Sequence, residues 1–226
     1  MEWVQPVSSV NVYCKKLLVY IAGLLCLAFG VTFSVNSNLG VSPVNSLPYI
    51  ISVILQRDMG SCVIGVFSFY IFLQILLLRK KFRLINLTQI AFSAVFGYFV
   101  DFAKWAVGDF AIPTYFGQLF MLAISIFLVA VGVCLYMNAK LVNMPMEGLT
   151  HAVCETFFPR RSFHEVKVYM DCLVVATGIV LSFMCLGKLE GIREGTVFCA
   201  LLVGKAMKPL QKVLVPRIEV FLGGAG

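Results

Sequence analysis

The chain has 226 residues, of which 60% are hydrophobic and only 13% are charged, with a mean hydropathy of +0.94. A soluble domain of this size carries about 25% charged residues, so the composition excludes an ordinary soluble protein and indicates an integral membrane protein. The net charge of +7 comes from short basic clusters between apolar runs. That pattern follows the positive-inside rule and argues against a nucleic-acid-binding face.

In chain order, the sequence predicts six membrane-spanning helices, at 17–35, 62–78, 84–100, 115–137, 166–187 and 195–210. The run 17–35 rises about 28 Å, close to a hydrocarbon thickness of about 30 Å. The sixth span has a short uncharged stretch, and Lys205 and Lys208 would extend towards the interface to complete it. The segments 1–14 and 211–226 are predicted to be interfacial or loose, and we expect no cleaved signal peptide.

Two further segments, 42–56 and 144–158, are predicted to be short helices of about 22 Å each. Both begin at a proline beside a polar residue, in Ser42-Pro43 and in Asn143-Met144-Pro145, which is a common helix start. If both re-enter the membrane, the basic clusters all fall on one side; they are 15–16, 79–83, 160–161 and 212–217. The positive-inside rule therefore favours six spans, two re-entrant half-helices and cytoplasmic termini, while eight full crossings stay open.

The two proline-bearing segments belong to a repeat. At a fixed offset, Gly30 aligns with Gly132, Asn36 with Asn138, Leu39 with Leu141, Pro43 with Pro145, Leu47 with Leu149, and Asn45 with Glu147. With six spans, each repeat holds three full crossings, so the second lies upside down relative to the first; eight crossings would give parallel repeats. The sequence predicts one all-α membrane domain of two inverted repeats, about 15–105 and 115–210, with a tail at 211–226. Interrupted, repeated spans are typical of transporters and channels.

Several of these motifs resemble those of the YczE-like family of bacterial multi-pass membrane proteins, which is related in style to the YitT family. The similar stretches are G-V-S-P-V-N-S-L at 40–47, M-P-M-E-G-L at 144–149 and G-T-V-F-C-A-L-L-V-G at 195–204. Asn45 stands where that family usually has Asp, and Lys167 with Asp171 is similar to its R-x-x-x-E. The resemblance implies a multi-pass protein of a bacterial cytoplasmic membrane whose activity is poorly defined.

Glu147 is the first functional candidate, because a carboxylate inside a membrane costs several kcal/mol unless it is paired, hydrated or neutralised. The alternative is that Glu147 only accepts unpaired amides in the first turn of its helix. Asn45, its repeat mate, is predicted either to line the same pathway or to form a local turn.

A second candidate is one face of the helix that follows. His164, Lys167 and Asp171 have i, i+3, i+7 spacing, and Gly178 with Ser182 continues the stripe. We interpret it as a polar wall that faces Glu147, with Lys167 as the counter-ion of that carboxylate. The alternative is a set of interfacial residues with Lys167 extended into the headgroups.

The sequence predicts a transporter or channel-like permease for a small solute, without a metal or cofactor. Its predicted substrate pathway comprises Ser42, Pro43, Asn45, Asn143, Pro145, Glu147, Lys167 and Asp171. Half-helix N-termini carry partial positive charge, so an anionic solute is preferred. Motifs of hydrolases, metal sites and phosphate loops are absent, which argues against an enzyme. The alternative is an accessory or scaffold protein, or the substrate-binding subunit of a multi-component importer.

Three smaller predictions concern packing and the ends of the spans. Glycines are expected to allow close helix packing, at Gly23, Gly30, Gly97, Gly132, Gly178 and Gly204. Cysteines are expected to be free, mostly buried thiols, including Cys26, Cys134, Cys172, Cys185 and Cys199. Asp101, Lys104 and Asp109 are expected to lie at the interface that closes the third span.

Overall fold

The computed structural model describes residues 7–82 and 84–222, and this part of the chain is helical with no strand. The helices are α1 (Val7–Asn36), α2 (Pro43–Leu55), α3 (Met59–Leu78), α4 (Thr88–Val107), α5 (Tyr115–Ala139), α6 (Pro145–Phe157), α7 (Phe163–Leu186) and α8 (Glu194–Leu222). By length and composition, α1, α3, α4, α5 and α7 can each cross a membrane. The prediction of an all-α, multi-pass membrane protein is confirmed.

Several predicted boundaries were wrong. The third span begins at Thr88 instead of 84, because 84–87 forms a 3-10 turn, and it continues to Val107 instead of ending at 100. The described parts of both ends are helical and not loose, since α1 begins at Val7 and α8 continues to Leu222; their interfacial position stays a prediction. Helix α8 contains more charged residues, so it is less apolar than the five helices that can cross a membrane. A sixth crossing therefore stays a prediction.

Helices α1 and α5 form the most extensive helix–helix contact, and glycines allow their close approach. A Cβ added at Gly23 would lie 2.8 Å from the Tyr136 nitrogen, and one at Gly132 would lie 2.7 Å from the Gly23 oxygen. Real Cβ atoms do not come so near to backbone, so these sites require glycine for this crossing. The packing prediction is confirmed for five of the six glycines and wrong for Gly204, where an added Cβ would meet nothing within 4 Å.

The two ends of the bundle, here called the first face and the second face, are identified by contacts between helix ends. At the first face, Asn36 Nδ2 at the end of α1 donates to the Gly108 oxygen after α4, at 2.9 Å. The Gly195 nitrogen at the start of α8 donates to the Leu39 oxygen at 2.7 Å. At the second face, Lys81 after α3 pairs with Glu155 near the end of α6, at 2.9 Å.

The short helix α2 enters the bundle from the first face and returns to it. After Asn38, whose φ is +56°, the chain folds back beside α1, and Ser34 Oγ donates to the Gly40 oxygen at 2.9 Å. Gly40 itself has a φ of +112°, which strongly favours glycine. At its far end α2 shares a surface groove with the end of α1, where Ser52 lies near Val35. The helix therefore begins inside the bundle and ends at the first face, and its re-entry into a membrane stays a prediction.

The short helix α6 makes the corresponding excursion from the second face. The chain leaves α5 through Lys140, whose φ of +51° matches that of its repeat mate Asn38. Helix α6 then begins at Pro145 inside the bundle, and near its end Glu155 reaches Lys81 at the second face. Helix α2 packs against α7 and α3, and α6 packs against α3 and α7, so the two half-helices have equivalent neighbours.

All eight cysteines are free, as predicted. Cys134 and Cys199 are buried, but Cys172 and Cys185 are exposed on the outside of α7, so the prediction that they are buried was wrong. A thiol behaves as a small hydrophobic group and can face lipid as readily as protein.

Candidate functional site

The N-terminal ends of α2 and α6 meet at one partly open cavity of about 200 Å³ between the helices, here called the central cavity. Its apolar wall includes Leu27, Phe67, Phe96, Val129 and Val133. Its polar wall comprises Ser42, Asn45, Tyr136, Glu147, Lys167 and Asp171, with Pro43 beside them. Six of the eight predicted pathway residues therefore lie around one space, although they come from three separate helices or their ends.

The α2 side of the central cavity is neutral. Ser42 precedes the helix, Pro43 occupies its first turn, and the side-chain amide of Asn45 donates to Ser42 Oγ at 3.1 Å. This hydrogen bond corresponds to the local turn that the sequence predicted as one of two roles for Asn45. The Asn45 Oδ1 atom has no partner, although the residue is only 4% exposed. Asn45, which lines the cavity, therefore carries a buried acceptor without a donor.

The α6 side of the central cavity carries the carboxylate. Glu147 Oε2 accepts from the Met144 nitrogen at 3.0 Å, which satisfies an amide at the start of the helix. Glu147 Oε1 accepts from the hydroxyl of Tyr136 on α5. The contact predicted as the non-functional alternative is therefore present, and Glu147 also lines the cavity.

Helix α7 supplies an ion pair to the same cavity. Lys167 and Asp171 contact one another at i, i+4, and their side chains are 22% and 24% exposed. The predicted polar stripe does face inward, since Gly178 lies against Ile50 of α2 and Ser182 is buried. The direct partner of Lys167 is Asp171, with which the i, i+4 spacing allows a pair, and not Glu147, its suggested counter-ion.

Of the stripe residues, His164 lies on α7, but its side chain is outside the described part of the structure.

Asn143 and Pro145 do not line the central cavity. Asn143 is exposed and lies in two grooves at the second face, because the helix begins two residues later and the chain reaches it in an extended conformation. Pro145 is buried, and its carbonyl accepts from Gln74 Nε2 at 3.0 Å. The prediction that Asn143 lines the same pathway as Glu147 was therefore wrong for the central cavity.

Several polar residues near the site were not predicted from the sequence. Gln74, 1% exposed, donates to Gln89 Oε1 at 3.1 Å as well as to Pro145. An amide in the middle of an apolar run was the signal for Gln74. Tyr136 gave no such signal, because its partner lies on another helix. The hydroxyls of Tyr20 and Tyr70 are buried without a partner.

The charged residues near the end of α4 connect the ends of several helices by hydrogen bonds and an ion pair. Asp101 Oδ1 accepts from the Gly60 nitrogen at 2.7 Å, at the start of α3. Lys104 reaches Asp109 at 2.6 Å and Asn36 at 3.2 Å. The hydrogen bond from Lys104 lowers the pKa of the exposed Asp109 carboxyl. These contacts lie at the first face, where the sequence predicted an interface.

Both faces of the bundle also carry grooves that are large enough to hold water. A groove of about 550 Å³ opens at the first face beside Asp58 and Asp101. At the second face, a groove of about 350 Å³ is lined by Gln89, Lys140 and Tyr136. Among the described residues that line these spaces, Tyr136 alone borders both the central cavity and a groove. It stands between the cavity and the second face.

Residues 14–212 match the model of DUF6198, a family of unknown function. The chain is 26% identical over 195 residues to the uncharacterized membrane protein YczE of Bacillus subtilis (strain 168), across 84% of this chain and 82% of that protein. It is 25% identical over 162 residues to the uncharacterized protein YyaS of the same organism, across 71% and 79%. The resemblance seen in the sequence is confirmed, and no solved structure matches.

Proposed function

The chain belongs to this family of membrane proteins of unknown function, and from that premise we propose that it is a transporter or channel-like permease for a small solute. One observation carries the proposal: two half-helices reach a single cavity from opposite faces, and the cavity holds Glu147 beside the Lys167–Asp171 pair. Half-helices that meet at a central site, and ionisable groups within the membrane, are both typical of solute pathways.

The proposal treats the two halves as an inverted repeat. Helices α1 to α4 then correspond to α5 to α8. Under that correspondence, the contact between α2 and α7 is equivalent to the contact between α6 and α3. The contact between α1 and α4 is likewise equivalent to the contact between α5 and α8. The left-handed residues Asn38 and Lys140 are also repeat mates. These equivalences support an architecture in which either half can open towards its own face.

Glu147 is the proposed coupling group. Its carboxylate contacts the Tyr136 hydroxyl and the Met144 nitrogen but no cation, while Lys167 is already paired with Asp171. When such a carboxylate gains or loses a proton or a cation, the electrostatic energy of the site changes strongly, because its surroundings are poorly polarisable. Gain and loss of that charge is a physical basis for coupled transport.

We further propose that the protein lies in a bacterial cell membrane with both termini in the cytoplasm. The second face would then be cytoplasmic, which agrees with the basic residues there: Lys81, Lys140, Arg160 and Arg161. The positive-inside rule is the reason for this orientation. The helix dipoles by themselves favour an anionic solute, as the sequence predicted.

The test is flux through the purified protein in proteoliposomes, screened with radiolabelled small organic anions and cations. We expect uptake by the natural protein and its loss in Glu147→Gln and Lys167→Ala, with membrane insertion retained. Glu155→Gln is the matched control, because it makes the same change on the same helix at an exposed position.

Full uptake by both cavity variants would contradict the mechanism. Absence of flux, together with co-purification of ATPase subunits, would favour the alternative function, a substrate-binding subunit of an importer. In that case the cavity would still bind its solute, and the Glu147→Gln variant would bind it less well.

A further inference from the structure

We infer that the solute of the central cavity is a small organic cation of the guanidinium or ammonium type. The inference rests on the proposed function for the role of the cavity as a solute site, and it differs from the anion that helix dipoles alone predict. Four features of the cavity support it: its charge, the state of its helix N-termini, a free acceptor and its aromatic wall.

The ionisable side chains around the central cavity leave an excess of negative charge. Among the described residues that line it, the acidic groups are Glu147 and Asp171 and the basic group is Lys167. With all three ionised, two negative charges and one positive charge leave a net charge of −1. An unbalanced carboxylate in a membrane interior is costly, and a bound cation would neutralise it.

The half-helix N-termini offer little to an anion, although their dipoles point at the cavity. Pro43 and Pro145 stand in the first turns and have no N–H group. The Met144 nitrogen donates to the carboxylate of Glu147, and the Asn45 nitrogen donates to the Ser42 oxygen at 2.9 Å. The anion site that a helix start can provide is therefore partly filled by the protein's own groups.

Asn45, on the α2 side of the cavity, has a buried acceptor that lacks a donor. Asn45 is 4% exposed, its amide nitrogen already donates to Ser42, and its Oδ1 has no partner. A buried acceptor without a hydrogen bond is costly, so a ligand that brings N–H groups would satisfy it. An anion brings only acceptors. Guanidinium and ammonium ions bring several donors each.

The remaining walls suit an organic cation better than a metal ion. Phe67, Phe96 and Tyr136 all line the cavity, and the Tyr136 hydroxyl contacts Glu147. Aromatic faces attract cations such as guanidinium and ammonium. No group of three or more His, Cys, Asp or Glu residues that could hold a metal ion occurs among the described residues.

The first test is binding to the purified full-length protein in detergent, measured by calorimetry with guanidinium and methanesulfonate. Both probes are small and stay ionised at neutral pH. We expect saturable binding of guanidinium at millimolar concentration and none of methanesulfonate. Glu147→Gln should weaken guanidinium binding about tenfold or more, because a charge-assisted contact is lost. Glu155→Gln should bind as the natural protein does.

A second variant guards against a folding defect in the first. Asn45→Asp keeps the shape of the side chain and adds a negative charge, so guanidinium should bind more tightly. Asn45→Ala removes the free acceptor and should weaken binding. Binding of methanesulfonate in place of guanidinium, or of neither probe, would overturn the inference, as would an unchanged affinity in Glu147→Gln.

Uptake of the same labelled probes into proteoliposomes separates this inference from the proposed function. Guanidinium uptake driven by an inside-negative potential would support both. Saturable guanidinium binding without uptake would retain the cation site and count against transport. Methanesulfonate uptake without guanidinium uptake would retain transport and overturn the cation site.

Discussion

At the scale of single residues, the contact between Tyr136 and Glu147 joins α5 to the start of α6. We predict that Tyr136→Phe lowers the free energy of unfolding by about 1–2 kcal/mol, since Glu147 loses a donor in a buried place. A double-mutant cycle with Glu147→Gln, followed by reversible unfolding in mixed micelles, would measure the coupling between the two side chains.

Tyr20→Phe is the matched control for that measurement. Tyr20 is also fully buried, but its hydroxyl has no partner, so removal of the oxygen should leave stability unchanged or raise it slightly. An equal loss in both variants would show that the hydroxyl contact to Glu147 contributes nothing specific.

At the scale of helices, α1 and α5 cross closely, and both helices contribute residues to the wall of the central cavity. We predict that Gly23→Ala and Gly132→Ala each destabilise the protein by about 1–3 kcal/mol, because the added Cβ would meet backbone at under 3 Å. Thermal unfolding in detergent, read by the loss of helical circular dichroism, would detect this change.

Gly204→Ala is the control at the same scale. It is helical like the other two, and an added Cβ would meet nothing within 4 Å. Alanine is also the better helix former, so the substitution should be neutral or mildly stabilising. Destabilisation at Gly204 similar to that at Gly23 would contradict the packing explanation.

At the scale of the whole molecule, the two half-helices are expected to enter from opposite sides of the membrane. We predict that Asn38→Cys and Lys140→Cys, introduced singly after the native cysteines are replaced, react with impermeant thiol reagents from opposite sides. Both positions are exposed and are repeat mates. Reaction of both from the same side would contradict the inverted arrangement and favour parallel repeats.

The sequence by itself determined the class of protein, the two half-helices and most of the central cavity. Hydropathy and length reveal spanning helices, and prolines at 43 and 145 mark helix starts, because these signals depend on local composition alone. The repeat pointed to Asn45 and Glu147, and helical spacing placed Lys167 and Asp171 on one inward face. Both pairs line the same cavity.

Only the tertiary structure decided which partner each polar group takes. Tyr136 on α5 reaches Glu147 on α6, and Gln74 on α3 reaches Pro145 on α6. Asn143 was excluded from the cavity by the path of the chain between α5 and α6. Such contacts depend on how helices distant in sequence pack, and a local pattern carries no record of that packing. The net negative charge of the cavity lining, on which the proposed cation site rests, comes from helices that are distant in sequence.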